Sequence, residues 1–198
     1  MSPPYSGDWD RTRYNCLITR RRSTNRNVYE YISGYTDGEG CFSVSFLKRK
    51  KLLIGIETRP SFSVSQNEDR SEVLFLMQKH FGCGHLRRDY SDKTLKYEVR
   101  KLDDLLTKIV PHFCKYPLLS GKQKDFEHLA QICKWMKDGK QHTKSGLRAI
   151  VRSAYQMNPS GKRRYTQTEM LALLRWRYSL CPYENTGTEM KFRRARMA

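Results

Sequence analysis

Hydrophobic residues near the start of the chain recur with a helical period and then switch to strict alternation. Apolar and aromatic positions three or four residues apart predict a helix that ends at residues 37–40, with Ser23 or Thr24 as its N-cap. These positions are Val28, Tyr31, Ile32 and Tyr35. Residues 41–47 then alternate Phe or Val with smaller or polar residues, which predicts a strand with one buried face.

The same two periods recur along the rest of the chain. Alternation predicts strands over residues 53–66, 85–90 and 94–101, and Pro60 marks a bend or an edge in the first of them. Helical spacing predicts helices over residues 68–81, 102–110, 121–138 and 145–157. Thr166 and Glu169 form a capping box for a last helix over residues 167–180. The order αββαββα, followed by further helices, indicates an α+β fold.

The predicted strands share one polar face, which carries hydroxyl, basic and acidic side chains. Arg and Lys donate hydrogen bonds to guanine, and carboxylates accept hydrogen bonds from cytosine. A Ser hydroxyl can bond to either base. We expect this face to read base edges, although a solvated surface is the ordinary alternative. The residues concerned are Ser43, Ser45, Lys48, Arg49, Glu57, Arg59, Ser61, Ser63, Arg87, Asp89, Lys96, Glu98 and Arg100.

The charge of the chain narrows the class of partner. Lys and Arg number 38 against 20 Asp and Glu, which gives a net charge of +18 and predicts a polyanionic partner. An anionic membrane competes with nucleic acid, but the basic residues are spread along the whole chain and no long basic amphipathic helix is predicted. We therefore expect double-stranded DNA as the partner, and neither a membrane nor a small-molecule substrate.

Composition divides the 198 residues into three parts. Residues 1–22 form a basic extension, residues 23–160 a core domain, and residues 161–198 a basic loop, a helix and a tail. The extension is either an arm that lies on nucleic acid or a disordered tail. Lys162, Arg163 and Arg164 are expected to contact phosphates, with a solvated loop as the alternative.

Residues 32–40, ISGYTDGEG, place two acids at a helix C-terminus, where the helix dipole disfavours negative charge. Gly34 and Gly38 lie four residues apart and permit close approach of a second copy of the same helix. Two copies of Glu39 would then repel each other unless a divalent cation lay between them, and oxygen ligands suit Mg²⁺. Such a cation activates water for phosphodiester hydrolysis. A helix end with solvated acids is the alternative.

This segment, with Cys41 and Phe42 after it, resembles the LAGLIDADG motif of homing endonucleases. Its glycines and both acids match the motif, and the departures from it are conservative. The resemblance covers about residues 27–160 and implies an αββαββα fold with a four-stranded antiparallel sheet that lies on DNA like a saddle. The sequence contains no second motif, so a homodimer is implied, with an interface formed by Ser33, Gly34, Asp37 and Gly38.

The resemblance also implies roles for individual residues. Glu39 and the backbone carbonyl of Gly38 would bind Mg²⁺, for which Mn²⁺ can substitute. Gln66 falls where a polar residue organises water, and Arg70 falls near the same solvent pocket. Lys122 would lie near the scissile phosphate. The implied catalytic group is Glu39, Gln66, Arg70 and Lys122.

We predict a site-specific, Mg²⁺-dependent DNA endonuclease. The resemblance implies that it makes a double-strand break in a long near-palindromic target and spreads a mobile intron. A non-cleaving protein of the same fold, either an RNA-splicing maturase or a DNA-binding regulator, is the alternative. Charge alone would also suit a ribosomal RNA-binding protein, but the predicted polar face carries few aromatic residues for stacking. We expect an intracellular protein of an organelle or of the bacterial cytoplasm.

Overall fold

The first helix, α1, spans Val28–Glu39 in a computed structural model that describes residues 27–90 and 93–176. Its N-cap is Asn27, whose side-chain oxygen accepts hydrogen bonds from the backbone N–H groups of Tyr29 (3.1 Å) and Glu30 (3.4 Å). The prediction of a cap at Ser23 or Thr24 was therefore wrong. Residues 1–22 and the tail after residue 176 lie outside the described residues.

Four strands follow α1 and form one antiparallel sheet, as predicted. They are β1 (Gly40–Lys48), β2 (Ile56–Asn67), β3 (His85–Asp89) and β4 (Thr94–Val99). Their spatial order is β1-β2-β4-β3, so the two long strands pair with each other and β3 forms one edge. β2 begins later than predicted because the preceding residues belong to the turn between β1 and β2, where the backbone N–H of Arg49 bonds to the Gly55 carbonyl.

Within the described residues, each predicted helix is present and differs from the prediction at its ends. A 3₁₀ turn over Glu68–Arg70 precedes α2, which spans Glu72–Phe81. α3 is longer than predicted: it joins Leu102–Asp104, a π-helical stretch over Leu105–Ile109 and a last segment over Val110–Lys115. Pro111 is tolerated there because it lies in the first turn of the last segment.

The C-terminal half continues with three helices. They are α4 (Lys122–Lys137), α5 (Lys144–Ala154) and α6 (Gln167–Trp176), and a 3₁₀ turn over Lys140–His142 precedes α5. The predicted capping box is present, since the Glu169 N–H donates to the Thr166 hydroxyl oxygen over 3.2 Å and the Thr166 N–H donates to the Glu169 carboxylate over 2.6 Å. Among the helices of the described residues, none is long and apolar enough to span a membrane.

One face of the sheet packs on the helices through a cluster of aromatic rings. The ring of Phe42 lies 5.2 Å from that of Phe62 and 5.3 Å from that of Phe113, which belongs to α3. Phe126 of α4 joins the same cluster, and all four side chains are buried. Because the aromatic positions alternate along each strand, the hydroxyl and charged positions between them project from the opposite face.

A loop from the C-terminal region closes the free edge of β1. The Asn158 side chain donates to the Phe42 carbonyl over 2.6 Å, and the Arg163 guanidinium donates to the Val44 carbonyl over 3.3 Å. Arg163 also donates to the carbonyls of Ala154 (2.5 Å) and Met157 (2.8 Å). The Arg163 guanidinium therefore holds the loop against the strand, and the expected contact of Arg163 with phosphate stays a prediction.

Candidate nucleic-acid interface and active site

Strand pairing brings the polar side chains of the open sheet face into rows. Ser43 lies opposite Ser61 in the β1–β2 pair, and their hydroxyl oxygens are 2.9 Å apart. Lys96 of β4 lies between Ser65 and Arg87 in the neighbouring strands. The sequence prediction that these strands present a shared polar face is confirmed by this register.

The far end of this face is held together by ion pairs. The Glu57 carboxylate accepts from Arg49 over 2.7 Å and from Arg59 over 2.9 Å. These hydrogen bonds, that of Arg59 foremost, hold the pKa of Glu57 below its ordinary value. Glu57 therefore serves to orient two arginines, and one positive charge of the triplet remains uncompensated.

Two predicted contact residues on this face are covered. Ser63 and Glu98 are each only 3% exposed. The Glu98 carboxylate lies 3.0 Å from the Arg100 guanidinium and 3.7 Å from the His85 ring nitrogen. Both side chains are therefore buried in the described conformation, and the expected direct contacts of Ser63 and Glu98 with DNA stay predictions. Arg100 remains exposed and is oriented by Glu98.

The remaining predicted contact residues are accessible on this face. Ser45, Lys48, Arg49, Arg87 and Arg100 are exposed, and Ser43, Arg59, Ser61, Asp89 and Lys96 are partly exposed. The basic loop extends the same surface, since a cleft of about 360 Å³ lies between Ser43 and Ser45 on one side and residues 161–165 on the other. Lys162 and Arg164 are exposed at this cleft. Lys48 lies 4.6 Å from the ring centre of Tyr165 in the same loop.

The C-terminal end of α1 is where the structure brings distant predicted residues together. The ammonium of Lys122 donates to the Gly38 carbonyl over 2.8 Å and to the Thr36 carbonyl over 3.3 Å. A cation at the C-terminus of a helix is favoured by the helix dipole. Glu39, the last residue of α1, is exposed beside these contacts. Lys122, Gly38 and Glu39 therefore belong to one site, although 84 residues separate Lys122 from Gly38.

Asp37 bonds to the loop that precedes α4. Its carboxylate accepts from the backbone N–H groups of Leu119 and Ser120, each over 3.0 Å, and from the Ser120 hydroxyl. Although partial burial opposes ionisation, the hydrogen bonds from Ser120 and Leu119 hold the pKa of Asp37 below its ordinary value. Ser120 was not identified from the sequence, but a Ser just before a helix start is a recognisable capping signal.

Gln66 and Arg70 lie near the end of β2. The Gln66 side chain donates to the Tyr35 hydroxyl over 2.5 Å, and its oxygen accepts from the Asn67 N–H over 2.8 Å. Both ends of the amide are thus bonded to protein groups, and Gln66 links β2 to α1. Arg70 is exposed at the end of the 3₁₀ turn that follows β2. Their catalytic roles stay predictions.

One face of α1 is open. Gly34 and Gly38 are exposed, and a Cβ atom added to either would meet no atom of the described residues within 4 Å. Ser33 lies on the other side of the helix, buried, where its hydroxyl donates to the Tyr116 carbonyl over 2.7 Å. Ser33 is therefore directed into its own chain, and the expected place of Ser33 at a dimer interface stays a prediction. Asp37 is likewise bonded within its own chain.

A polar sheet face edged by basic residues, with a carboxylate and a lysine at the end of one helix, defines a candidate nucleic-acid-processing site. The chain belongs to the LAGLIDADG endonuclease family, whose model matches residues 32–133. A curated relative is a probable intron-encoded endonuclease 2 of Neurospora crassa, which is 31% identical over 152 residues. That match covers 73% of this chain, which spans about a third (34%) of the relative's length.

Two solved structures show the same fold over most of this chain. The homing endonuclease I-TnaI is 31% identical, with a TM-score of 0.65 over 74% of this chain and 95% of that chain. The archaeal intron-encoded homing endonuclease I-Vdi141I, solved in complex with DNA, is 25% identical, with a TM-score of 0.71 over 77% of this chain and 97% of that chain. The predicted family and the predicted fold class are both confirmed.

Proposed function

We propose that this protein is a site-specific DNA endonuclease of the homing type. The observation that carries the proposal is the meeting of Glu39, the Gly38 carbonyl and the Lys122 ammonium at one end of α1. This site lies where α1 runs into β1, the strand that carries Ser43 and Ser45 on the open sheet face. The similarity to homing endonucleases, one of them solved in complex with DNA, supports the same assignment.

The oxygen donors at the end of α1 fit a magnesium ion in their chemistry but not in their number. The carboxylate of Glu39 and the carbonyl of Gly38 are hard ligands of the kind Mg²⁺ prefers. Within residues 27–90 and 93–176, however, no group of three or more His, Cys, Asp and Glu side chains could hold a metal ion within one chain. A bound Mg²⁺ would supply Lewis acidity and neutralise charge on the phosphate. Water, phosphate oxygens of the DNA and a second carboxylate would complete its ligand set.

A homodimer would supply that second carboxylate. The open face of α1 carries Gly34 and Gly38, whose lack of side chains lets another helix approach closely. Packing of two α1 helices along this face would place one Glu39 from each chain near the other. We infer a near-palindromic target, because a two-fold symmetric protein reads two related half-sites.

The remaining groups of the site have separable tasks. Lys122 would hold positive charge beside the phosphate whose bond is cleaved, where it stabilises developing negative charge. Arg87, Lys96 and Arg100 would read base edges, since they project from the sheet face that carries the hydroxyl rows. Lys162 and Arg164 would contact phosphates and add affinity that does not depend on sequence.

A cleavage-site selection tests this function. The purified chain is incubated with Mg²⁺ and a randomised or genomic DNA library, and cleaved sites are sequenced. We expect enrichment of one long, near-palindromic site, and loss of cleavage with retained binding in Glu39→Gln. Glu30→Gln, at the opposite end of α1, is the matched control and should cleave normally. Binding of a specific site without cleavage by the wild type would instead identify a non-cleaving regulator or maturase.

The biological setting is proposed from the relatives. The Neurospora crassa relative carries the name of a probable intron-encoded endonuclease, as do relatives from Schizosaccharomyces pombe and Dictyostelium citrinum. We infer that the chain spreads a mobile intron of an organelle or a bacterium.

A further inference from the structure

We propose that Asp37 is a positioning residue that acts within its own chain and sets the location of the Lys122 ammonium through Ser120. This inference rests on the proposed endonuclease function and adds a role to it. The resemblance to the family placed Asp37 at a dimer interface, whereas its observed contacts are all made to the loop before α4.

Both oxygens of the Asp37 carboxylate are already used. Oδ2 accepts from the N–H groups of Leu119 and Ser120, each over 3.0 Å. Oδ1 accepts from the Ser120 N–H over 3.2 Å and from the Ser120 hydroxyl. A carboxylate bound by three donors of one loop is poorly placed to bind a metal as well, so its contacts indicate a task in holding that loop.

The same loop begins the helix that carries Lys122. Gly121, which precedes α4, has no side chain and makes no capping hydrogen bond. The Ser120 hydroxyl accepts from the Lys122 N–H over 3.1 Å while it donates to Asp37. The start of α4 is therefore capped by a serine whose own orientation is fixed by a carboxylate of α1.

These contacts close a ring between two helices. From Asp37 the chain of hydrogen bonds runs through Ser120 to the backbone of Lys122. From there the lysine side chain returns to the carbonyls of Gly38 and Thr36, the neighbours of Asp37 on either side. A lysine has a long, flexible stem, so the place of its ammonium depends on where its backbone is held. Loss of the Asp37 contacts would free the start of α4 and move the ammonium relative to Glu39.

A double-mutant cycle on cleavage tests whether Asp37 acts through Lys122. Single-turnover cleavage and DNA affinity are measured for the wild type, Asp37→Asn, Lys122→Met and the double variant. We expect Asp37→Asn to slow cleavage on the order of 100-fold with DNA affinity nearly unchanged, since a misplacement of about 1 Å costs a factor of this size. In the Lys122→Met background the same change should slow cleavage by less than about 3-fold. Equal effects in both backgrounds would overturn the proposal.

Ser120→Ala is the second variant, since it keeps the Asp37 carboxylate and removes only the link to the Lys122 N–H. It should slow cleavage in the same direction and by a smaller factor, again only when Lys122 is present. An unchanged cleavage rate in Ser120→Ala would show that Ser120 does not link Asp37 to Lys122. A shift of the monomer–dimer equilibrium in Asp37→Asn, with an unchanged rate for the assembled dimer, would return Asp37 to the interface.

A readout that needs no DNA separates failure of this inference from failure of the proposed function. Protein labelled with ¹³C at the lysine Cε is studied by NMR, and the Lys122 signal is assigned from the Lys122→Met spectrum. We expect the Lys122 signal to be distinct in the wild type and to move toward those of exposed lysines such as Lys124 in Asp37→Asn. A Lys122 signal that does not move would overturn the positioning role, whether or not the protein cleaves DNA.

Discussion

A Cβ atom placed on Gly40 would lie 2.4 Å from Cγ2 of Thr36 and 2.6 Å from its carbonyl oxygen. Gly40 follows α1 with extended backbone angles and donates its N–H to that same carbonyl. The glycine is required for close packing and not for a left-handed conformation. Because Thr36 also accepts from Lys122, this contact fixes the turn on which Glu39 stands.

Gly40→Ala is therefore expected to disturb both stability and cleavage. The added methyl group must displace the last turn of α1, which should lower the free energy of unfolding by about 1–3 kcal/mol. The measurement is urea unfolding followed by circular dichroism. Gly121→Ala is the control, since a Cβ there meets no atom of the described residues within 4 Å, and it should be nearly neutral. Equal stability of Gly40→Ala and the wild type would contradict the packing argument.

Gly34→Trp is expected to prevent dimerisation while leaving the fold of the single chain intact. Gly34 lies on the open face of α1, where an added Cβ atom has no neighbour within 4 Å among the described residues, and a large side chain there would block a second copy of the helix. We expect a folded monomer that no longer cleaves both strands, as measured by sedimentation velocity and a plasmid assay. Lys137→Trp, an exposed site at the end of α4, should remain dimeric. A wild type that is monomeric while cleaving both strands would rule out the homodimer.

Two neighbouring arginines of the basic loop should give opposite results. Arg163→Ala removes donors from three backbone carbonyls and should lower the free energy of unfolding by about 2–3 kcal/mol. Arg164→Ala should leave stability unchanged but weaken DNA binding and reduce the slope of log affinity against log salt by about 1. The two readouts are chemical unfolding and a salt titration of binding. An unchanged salt slope in Arg164→Ala would remove this residue from the phosphate contacts.

His112 should make the fold sensitive to mild acid. Burial, followed by the nearby His80, lowers the pKa of His112 from 6.5 to about 4, so the folded state keeps this ring neutral. The unfolded chain takes up a proton near pH 6.5, and the free energy of unfolding should therefore fall as the pH drops from about 6.5 to 4. A pKa shift of this size corresponds to a loss of about 3 kcal/mol in the free energy of unfolding.

The measurement is the free energy of unfolding at pH 7.5 and pH 5. His112→Gln should flatten the pH dependence, while His142→Gln, an exposed control, should retain it. Burial also lowers the pKa of His80, whose ring nitrogen lies 3.3 Å from that of His112. Replacing both histidines by Gln should therefore flatten the pH dependence further. A pH dependence that His112→Gln leaves unchanged would exclude the buried ring as its source.

The periodic part of the fold followed from the sequence because periodicity reports which face is buried. Alternating Phe and Val in β1 and the helical spacing in α1 each marked one apolar face. The ends of the elements did not follow, since they depend on contacts from elsewhere. α3 was predicted to end at residue 110, yet it continues through Pro111 to Lys115 after the π-helical stretch.

In the candidate site too, some features were predicted from the sequence and others were not. Glu39 and Lys122 were identified from the motif and from a resemblance, and the structure places both at the end of α1. The burial of Ser63 and Glu98 was not predicted, because alternation assigns a face but does not show what covers it. The structural role of Arg163 was not predicted, because a run of three basic residues does not reveal that the middle one binds backbone carbonyls.

The closure of the β1 edge by Asn158 and Arg163 sets the direction in which two copies can join. The carbonyls of Phe42 and Val44 are occupied, so that border of the sheet cannot recruit a strand from a neighbouring molecule. The proposed homodimer would form instead through the glycine face of α1, which carries Gly34 and Gly38. An engineer who fuses two copies into a single polypeptide should therefore keep residues 158–163 intact and route the tether away from them.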